Sequence, residues 1–279
     1  MENFYKCDML SLLREREKEH NFRLLSEKIG VLLIFDDNFE LKFILVESWV
    51  DSINSELSSE EQSAIRFSEH ISCLLGKSFY FFRYEDNEIR DISTVQYRTS
   101  KSGNDLKKCN VMTFFNEHVE ECTLKEKNVK KQINKSLSTP FHQWQRKYLD
   151  YKGFSIDIDM LFASEGKVKF IVEIKRSKIS NWKPYKEDAN NYLAMSKLCE
   201  KIGVPFLLFF VPKIEKNNII IDCINNLKIY DIYHRVGAKY LEPNSIFFNV
   251  RCENISLEEL IKKDYSFFTE NIDLKTWRN

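Results

Sequence analysis

Asp157, Asp159, Glu173 and Lys175 stand in a stretch whose remaining residues alternate between apolar and polar. On the first side of a turn, Phe154, Ile156, Ile158, Met160 and Phe162 are apolar at every even position, and Ser155, Asp157 and Asp159 take odd ones. On the second side Val168, Phe170, Val172 and Ile174 are apolar, while Lys167, Lys169, Glu173 and Lys175 fall between them with Ile171. Side chains two apart share a face of a strand, so each strand has an apolar face and a charged one. Register decides whether the charged faces coincide. A two-residue turn pairs Ser164 with Lys167 and sets Asp159 against Val172, which mixes charge with core. A three-residue loop, Ser164-Glu165-Gly166, pairs Ala163 with Lys167; Asp157 then faces Glu173, and Asp159 faces Ile171 with Glu173 on its diagonal. Gly166 suits the positive φ that closes such a loop, so the three-residue register is expected. Acid opposite acid is unfavourable unless compensated. A divalent cation compensates, and clustered hard oxygens suit magnesium.

The run Asp157-Ile-Asp159-Met-Leu-Phe, followed by Phe170-Ile-Val-Glu173-Ile-Lys175, resembles the PD-(D/E)XK nuclease superfamily. The similarity covers about residues 138–211, a quarter of the chain. Ile158 stands where that superfamily commonly has proline, a position that varies within it. The resemblance implies a restriction-endonuclease-like, three-layer α/β/α core with a mixed sheet in the C-terminal half. It implies that Asp159 and Glu173 hold Mg2+, with Mn2+ as a substitute and the Ile174 carbonyl as a third ligand. Lys175 would then orient the attacking water and stabilise charge on the phosphate. The superfamily acid sits directly before the apolar run, which favours Asp159; direct cross-strand geometry favours Asp157. Both stay open.

Further substrate contacts are expected around this hairpin. The preceding helix carries no acid but offers His142 and Arg146, four apart and so on one face. Arg176 and Lys178 follow the hairpin, and Asn191, with Asn190 and Tyr192, lies where related nucleases place polar groups. Trp144 and Trp182 flank the basic block as candidates for base stacking, although core packing is the commoner fate of tryptophan.

The elements that must position these groups are legible in outline. Residues 139–149 read as a helix opened by Thr139 and Pro140. The hairpin follows, then a helix over 184–202 with Gly203 at its cap and Pro205 beyond. The unbroken apolar run 206–211 reads as a strand buried on both faces. A crossover helix between strands implies a parallel, right-handed unit. Later strands are expected at 219–223 and 246–250, and a capping box at Ser256 and Glu259. The N-terminal part reads as α+β: a helix over 8–28, strands at 31–35 and 41–47, a helix opened by a capping box at Ser58–Glu61 and running to Leu75, strands at 79–84 and 92–97, and a helix over 111–122. The division expected from this is an α+β domain over 1–122 for recognition, dimerisation or partner binding, a lysine-rich connection over 123–138, and a nuclease-like domain over 139–279. No internal repeat is visible in the sequence.

Bulk properties bound the function. The formal net charge is zero, but it is unevenly spread. Residues 1–122 carry 15 Lys and Arg against 23 Asp and Glu; residues 123–186 carry 15 against 6; residues 187–279 carry 12 against 13. A basic centre on a neutral chain is the kind of local field that binds polyanions. Seven scattered cysteines without C-x-x-C spacing argue against a disulfide framework or zinc site. No apolar window is long enough for a membrane span and the N-terminus lacks signal-peptide form, so a cytoplasmic protein is expected. Phosphate-loop, dinucleotide-binding, serine-hydrolase and H-E-x-x-H motifs do not occur. The expected partner is nucleic acid, DNA before RNA, cut by a magnesium-dependent enzyme of restriction, phage defence or repair that could act as a homodimer. An RNA-directed nuclease and a non-catalytic nucleic-acid- or protein-binding module of the same fold are the alternatives.

Overall fold

The computed structural model of the chain describes residues 22–23, 28–101, 105–127, 139–164, 167–177, 189–204, 206–212, 227–233 and 249–255. It has mixed α/β architecture and divides into two units, with the boundary between Ile158 and Asp159. Unit 1 holds the described residues from Lys28 to Ile158. Unit 2 holds those from Asp159 onward together with Phe22 and Arg23.

Fourteen strands are described: β1 (Phe22–Arg23), β2 (Ile29–Phe35), β3 (Leu41–Trp49), β4 (Ser78–Tyr84), β5 (Thr94–Thr99), β6 (Lys107–Asn110), β7 (Thr123–Leu124), β8 (Leu149–Asp150), β9 (Phe154–Asp157), β10 (Met160–Ser164), β11 (Lys167–Ser177), β12 (Phe206–Pro212), β13 (Leu227–Tyr233) and β14 (Asn249–Ile255). The helices are α1 (Ser59–Leu75), α2 (Pro140–Tyr148) and α3 (Ala189–Ile202), besides a helical turn at Val111–Thr113 that runs into a π-helical turn at Phe114–His118.

Unit 1 is built on a six-stranded sheet ordered β6-β5-β4-β3-β2-β9. Strands β3 and β4 are parallel, and the other neighbours are antiparallel. Val31–Phe35 of β2 and Phe43–Val46 of β3 are apolar at consecutive positions because both of their faces are covered. One face, with Leu32, Ile34, Phe43, Leu45, Tyr80, Phe82 and Tyr84, packs on an aromatic cluster of Phe114, Phe115, Phe141 and Trp144. Phe82 meets Phe141 edge-on at 4.7 Å between ring centroids. α1 supplies the crossover from β3 to β4. Its capping box is formed as expected: Glu61 N–H donates to Ser58 Oγ, and Ser58 N–H donates to the Glu61 carboxylate. α2 opens on the expected cap, Thr139, with Pro140 in the first turn.

Gly153 shows why β9 can join this sheet. Its φ is +128°, and a Cβ there would lie 1.9 Å from the Phe35 carbonyl oxygen. Only glycine lets the chain come this close before Phe154 pairs with Phe35.

Unit 2 has its own six-stranded sheet, ordered β1-β10-β11-β12-β13-β14. β11 and β12 are parallel with α3 as the crossover, and the remaining neighbours are antiparallel. α3 buries Tyr192, Leu193, Ala194, Met195, Leu198 and Cys199. It ends at Gly203, the expected cap, with φ +67°.

Several expectations are corrected. α2 and β9, expected to open the C-terminal domain, belong to unit 1, because Phe141 and Trp144 complete its aromatic core. The single strand expected over 154–163 is broken at Ile158–Asp159: β9 pairs with β2, and β10 pairs with β11. Phe22 and Arg23, placed in a helix over 8–28, form a strand on β10; residues 8–21 and 24–27 lie outside the described residues. The helix expected over 111–122 ends at His118, since Phe114, Phe115, Val119 and Cys122 all turn into one core. The strand expected from residue 92 starts at Thr94, and Ile92 is exposed. Strand β13 was not foreseen, and 219–223 and 256–259 lie outside the described residues.

Candidate acidic site on the second sheet

The hairpin of unit 2 closes with Ser164 opposite Lys167, the two-residue register rather than the expected three-residue one. Residues 165–166 lie outside the described residues. The ladder then shifts between Phe162 and Ala163: Ala163 pairs with Val168, but Phe162 pairs with Phe170. Lys169 is therefore an extra residue on β11, a β-bulge. The bulge removes the parity conflict that argued against a two-residue turn. Beyond it apolar residues oppose apolar ones, Leu161 against Ile171 and Met160 against Val172. Asp159 stands one step before the Met160–Val172 pair, and Glu173 stands one step after it on the facing strand.

The two acids thus converge at the end of the same ladder, and both are half-buried. On its other side β11 pairs in parallel with β12, so Glu173 lies beside Leu208 and Lys175 beside Phe210. Ile174 lies between them, and alternation gives positions 173 and 175 the same face of β11. Arg176 is opposite Val211. Asp159, directly before β10, thus lies near Glu173, Ile174 and Lys175 of the adjacent strand β11.

Asp157 is elsewhere in the fold. It ends β9 in unit 1, opposite Leu32, and it is exposed. The expected Asp157–Glu173 strand pair is not formed. The break at Ile158, whose N–H donates to the Val31 carbonyl, leaves Asp159, directly before β10, as the one of the two aspartates that lies next to Glu173 in the register.

The other expected contacts divide similarly. His142 and Arg146 lie on α2 in unit 1. The His142 N–H donates to Thr139 Oγ1, and Arg146 is exposed. Asn191 is half-buried near the start of α3 in unit 2, whereas Tyr192 is buried in its core. Trp144 is buried in the aromatic cluster, the core packing expected more often of a tryptophan than base stacking. Ser155 is bonded within unit 1, accepting from Tyr151 Oη at 2.7 Å and from Gln145 Nε2 at 3.3 Å. Lys178 and Trp182 lie outside the described residues.

Two carboxylates and a main-chain carbonyl in one segment are hard oxygen donors, the kind a magnesium ion takes while keeping waters of its own. Among the described residues, no group of three or more His, Cys, Asp or Glu side chains forms a ready cage.

Sequence reasoning missed a polar cluster in unit 1. Glu47 is buried in β3, where Tyr84 Oη donates to its Oε2 at 2.7 Å and Thr139 Oγ1 donates to its Oε1. The Phe141 N–H in turn donates to Tyr84 Oη at 3.2 Å. Glu47 thus ties the start of α2 to the sheet. Burial pushes its carboxyl up to about 7, against the pull of the Thr139 and Tyr84 hydrogen bonds and with a smaller push from the Asp157 charge. Burial and the same carboxylate hold the Tyr84 phenol well above its ordinary value. A charge directly after the apolar run 43–46 was the available signal.

No family model matches the chain, and no curated protein matches it. Among solved structures, the crystal structure of a sex pheromone staph-cAM373 precursor aligns over 81% of this chain and 86% of that chain, at 6% identity and a TM-score of 0.13. A likeness that slight carries no argument.

Proposed function

We propose that the chain is a divalent-metal-dependent nuclease of PD-(D/E)XK type that hydrolyses phosphodiester bonds in DNA. The observation that carries this reading is the bulged register of β10 and β11, which brings Asp159 and Glu173 to the same end of one ladder with Lys175 two residues on. The order hairpin, crossover helix, parallel strand in β10-β11-α3-β12 supports a restriction-endonuclease-like core. The excess of basic residues over 123–186 supports a polyanionic substrate. Restriction, phage defence or repair is the biological setting this suggests, by analogy of fold and chemistry.

In this reading Asp159, Glu173 and the Ile174 carbonyl hold Mg2+ or Mn2+. The bound ion supplies charge neutralisation at the phosphate and acidifies water. Lys175 orients the attacking water and donates to the phosphate oxygen on which negative charge grows. The water oxygen bonds to phosphorus, one P–O ester bond breaks, and the departing oxygen takes up a proton. Lys178, beyond the end of β11, binds a flanking phosphate, and Asn191 contributes a neutral hydrogen bond; Arg176 has the opposite parity to Glu173 and Lys175 on β11 and is left out of the site.

The test is cleavage of plasmid DNA and of RNA by purified full-length protein with Mg2+ or with chelator. Metal-dependent DNA cutting lost in Glu173→Ala and Lys175→Ala supports the proposal. Preferential RNA cutting redirects it to an RNA nuclease. Salt-sensitive binding without cleavage under any divalent ion makes the chain a binding module.

A further inference from the structure

The two units repeat one topology. In unit 1 the order along the sheet is β2-β3-β4-β5-β6, with α1 crossing from β3 to β4; in unit 2 it is β10-β11-β12-β13-β14, with α3 crossing from β11 to β12. The directions agree at every step: antiparallel, parallel, antiparallel, antiparallel. Strand order alone is a weak sign of kinship, but the details also coincide. Each crossover helix ends at a left-handed glycine, Gly76 at φ +61° and Gly203 at φ +67°. Three residues later come Phe79 and Phe206, which pair with Ile44 and Ile171. Each hairpin carries a register shift at the matching place, between Ile34 and Phe35 and between Phe162 and Ala163. In both, the extra residue is a lysine within similar runs, Leu41-Lys42-Phe43-Ile44 and Val168-Lys169-Phe170-Ile171. The outer edges match too: β9, just before β10 in the chain, pairs with β2, and β1, before β2 in the chain, pairs with β10. A repeat invisible in the sequence is thus plain in the register.

Superposing the registers on Ile44 and Ile171 gives each site position its counterpart. Leu32–Leu45 corresponds to Met160–Val172, so Val31 and Val46 stand where unit 2 has Asp159 and Glu173, and Ser48 stands where it has Lys175. Val31 and Val46 are 0% exposed and Ser48 is 1% exposed. Unit 1 thus has two valines and a serine at these positions, all of them buried.

We propose that the chain is a tandem duplication of one nuclease-like unit in which unit 2 keeps the hydrolytic site and unit 1 is a closed, non-catalytic copy, so that each chain cuts one strand of duplex DNA at a time. This rests on the nuclease reading above. A homodimer of single-unit nucleases brings two sites to a duplex; this chain brings two units and one site.

The test pairs Mn2+ binding, followed by its electron paramagnetic resonance signal, with plasmid cleavage, using full-length wild type, the double variant Asp159→Asn/Glu173→Gln, and Ser48→Ala in unit 1. Circular dichroism checks that each variant is folded. The expected result is loss of bound Mn2+ and of cutting in the double variant, no change in Ser48→Ala, and wild-type conversion of supercoiled plasmid to open circle before any linear form. Bound Mn2+ or cutting that survives the double variant overturns the single-site proposal while leaving metal-dependent cutting intact. So does linear product that forms without a nicked precursor at every protein concentration. Wild type that neither binds Mn2+ nor cuts overturns the nuclease reading and the single-site proposal together.

Discussion

Replacing Glu47 with glutamine should flatten the dependence of stability on pH. The carboxyl is buried, its ordinary value is 4.5, and burial raises it to about 7. Below pH 4.5 both folded and unfolded chains carry the proton. Between 4.5 and 7 the unfolded chain gives it up while the folded chain keeps it. The folded state therefore binds more protons in that window, and stability falls as pH rises through it. The full gap is worth about 3 kcal/mol, lost by the time pH passes the folded value. Glutamine matches glutamate in shape and removes the charge. Its carbonyl can accept from Tyr84 Oη, and its amide can donate to Thr139 Oγ1, so the link to α2 survives. Urea denaturation at intervals from pH 5 to pH 9 provides the measurement. The difference between variant and wild type should move in the variant's favour as pH rises, by about 3 kcal/mol at most. A difference that does not change with pH would mean that Glu47 has the same proton affinity in both states, against the burial-raised carboxyl.

Other consequences follow from the same core. Gly153→Ala should destabilise by about 3 kcal/mol, the upper range for overpacking, because the new Cβ meets the Phe35 carbonyl at a φ unsuited to alanine; thermal melts compare it with wild type. Phe141→Ala should cost about 3–5 kcal/mol by emptying the place its ring fills against Phe82 and Phe115. A fragment ending at residue 138 should fail to fold, whereas one ending at 158 should retain a cooperative melt, since it restores α2 and β9 to the unit 1 sheet and core; equal melts for the two fragments would contradict the placement of α2.

Local signals carried much of the fold. The Ser58–Glu61 capping box, the Thr139-Pro140 helix start and the Gly203 cap depend on neighbours in the chain and stand where they were expected. What failed depends on distant residues. Apolar residues hold every even position from 154 to 162, yet the chain leaves one sheet and enters another at Ile158–Asp159, because β2 and β11 each offer an edge that only the folded molecule contains. The Lys169 bulge is equally silent in a periodicity argument, which assumes one partner for every residue. That assumption chose a three-residue turn and made Asp157 the partner of Glu173. The bulge reverses both results while keeping the convergence of acids that the hairpin pattern suggested, with Asp159 and Glu173 each one step past the Met160–Val172 pair. The aromatic run before Val119 resembles a longer helix for the same reason: its end is set by the core that Phe114 and Phe115 enter.

The most direct measurement is plasmid cleavage with Mg2+ by wild type and by folded Glu173→Ala and Lys175→Ala. Wild type is expected to cut, with no cutting in chelator and none by either variant. Cutting that persists in both variants would contradict the placement of the site at the bulged hairpin.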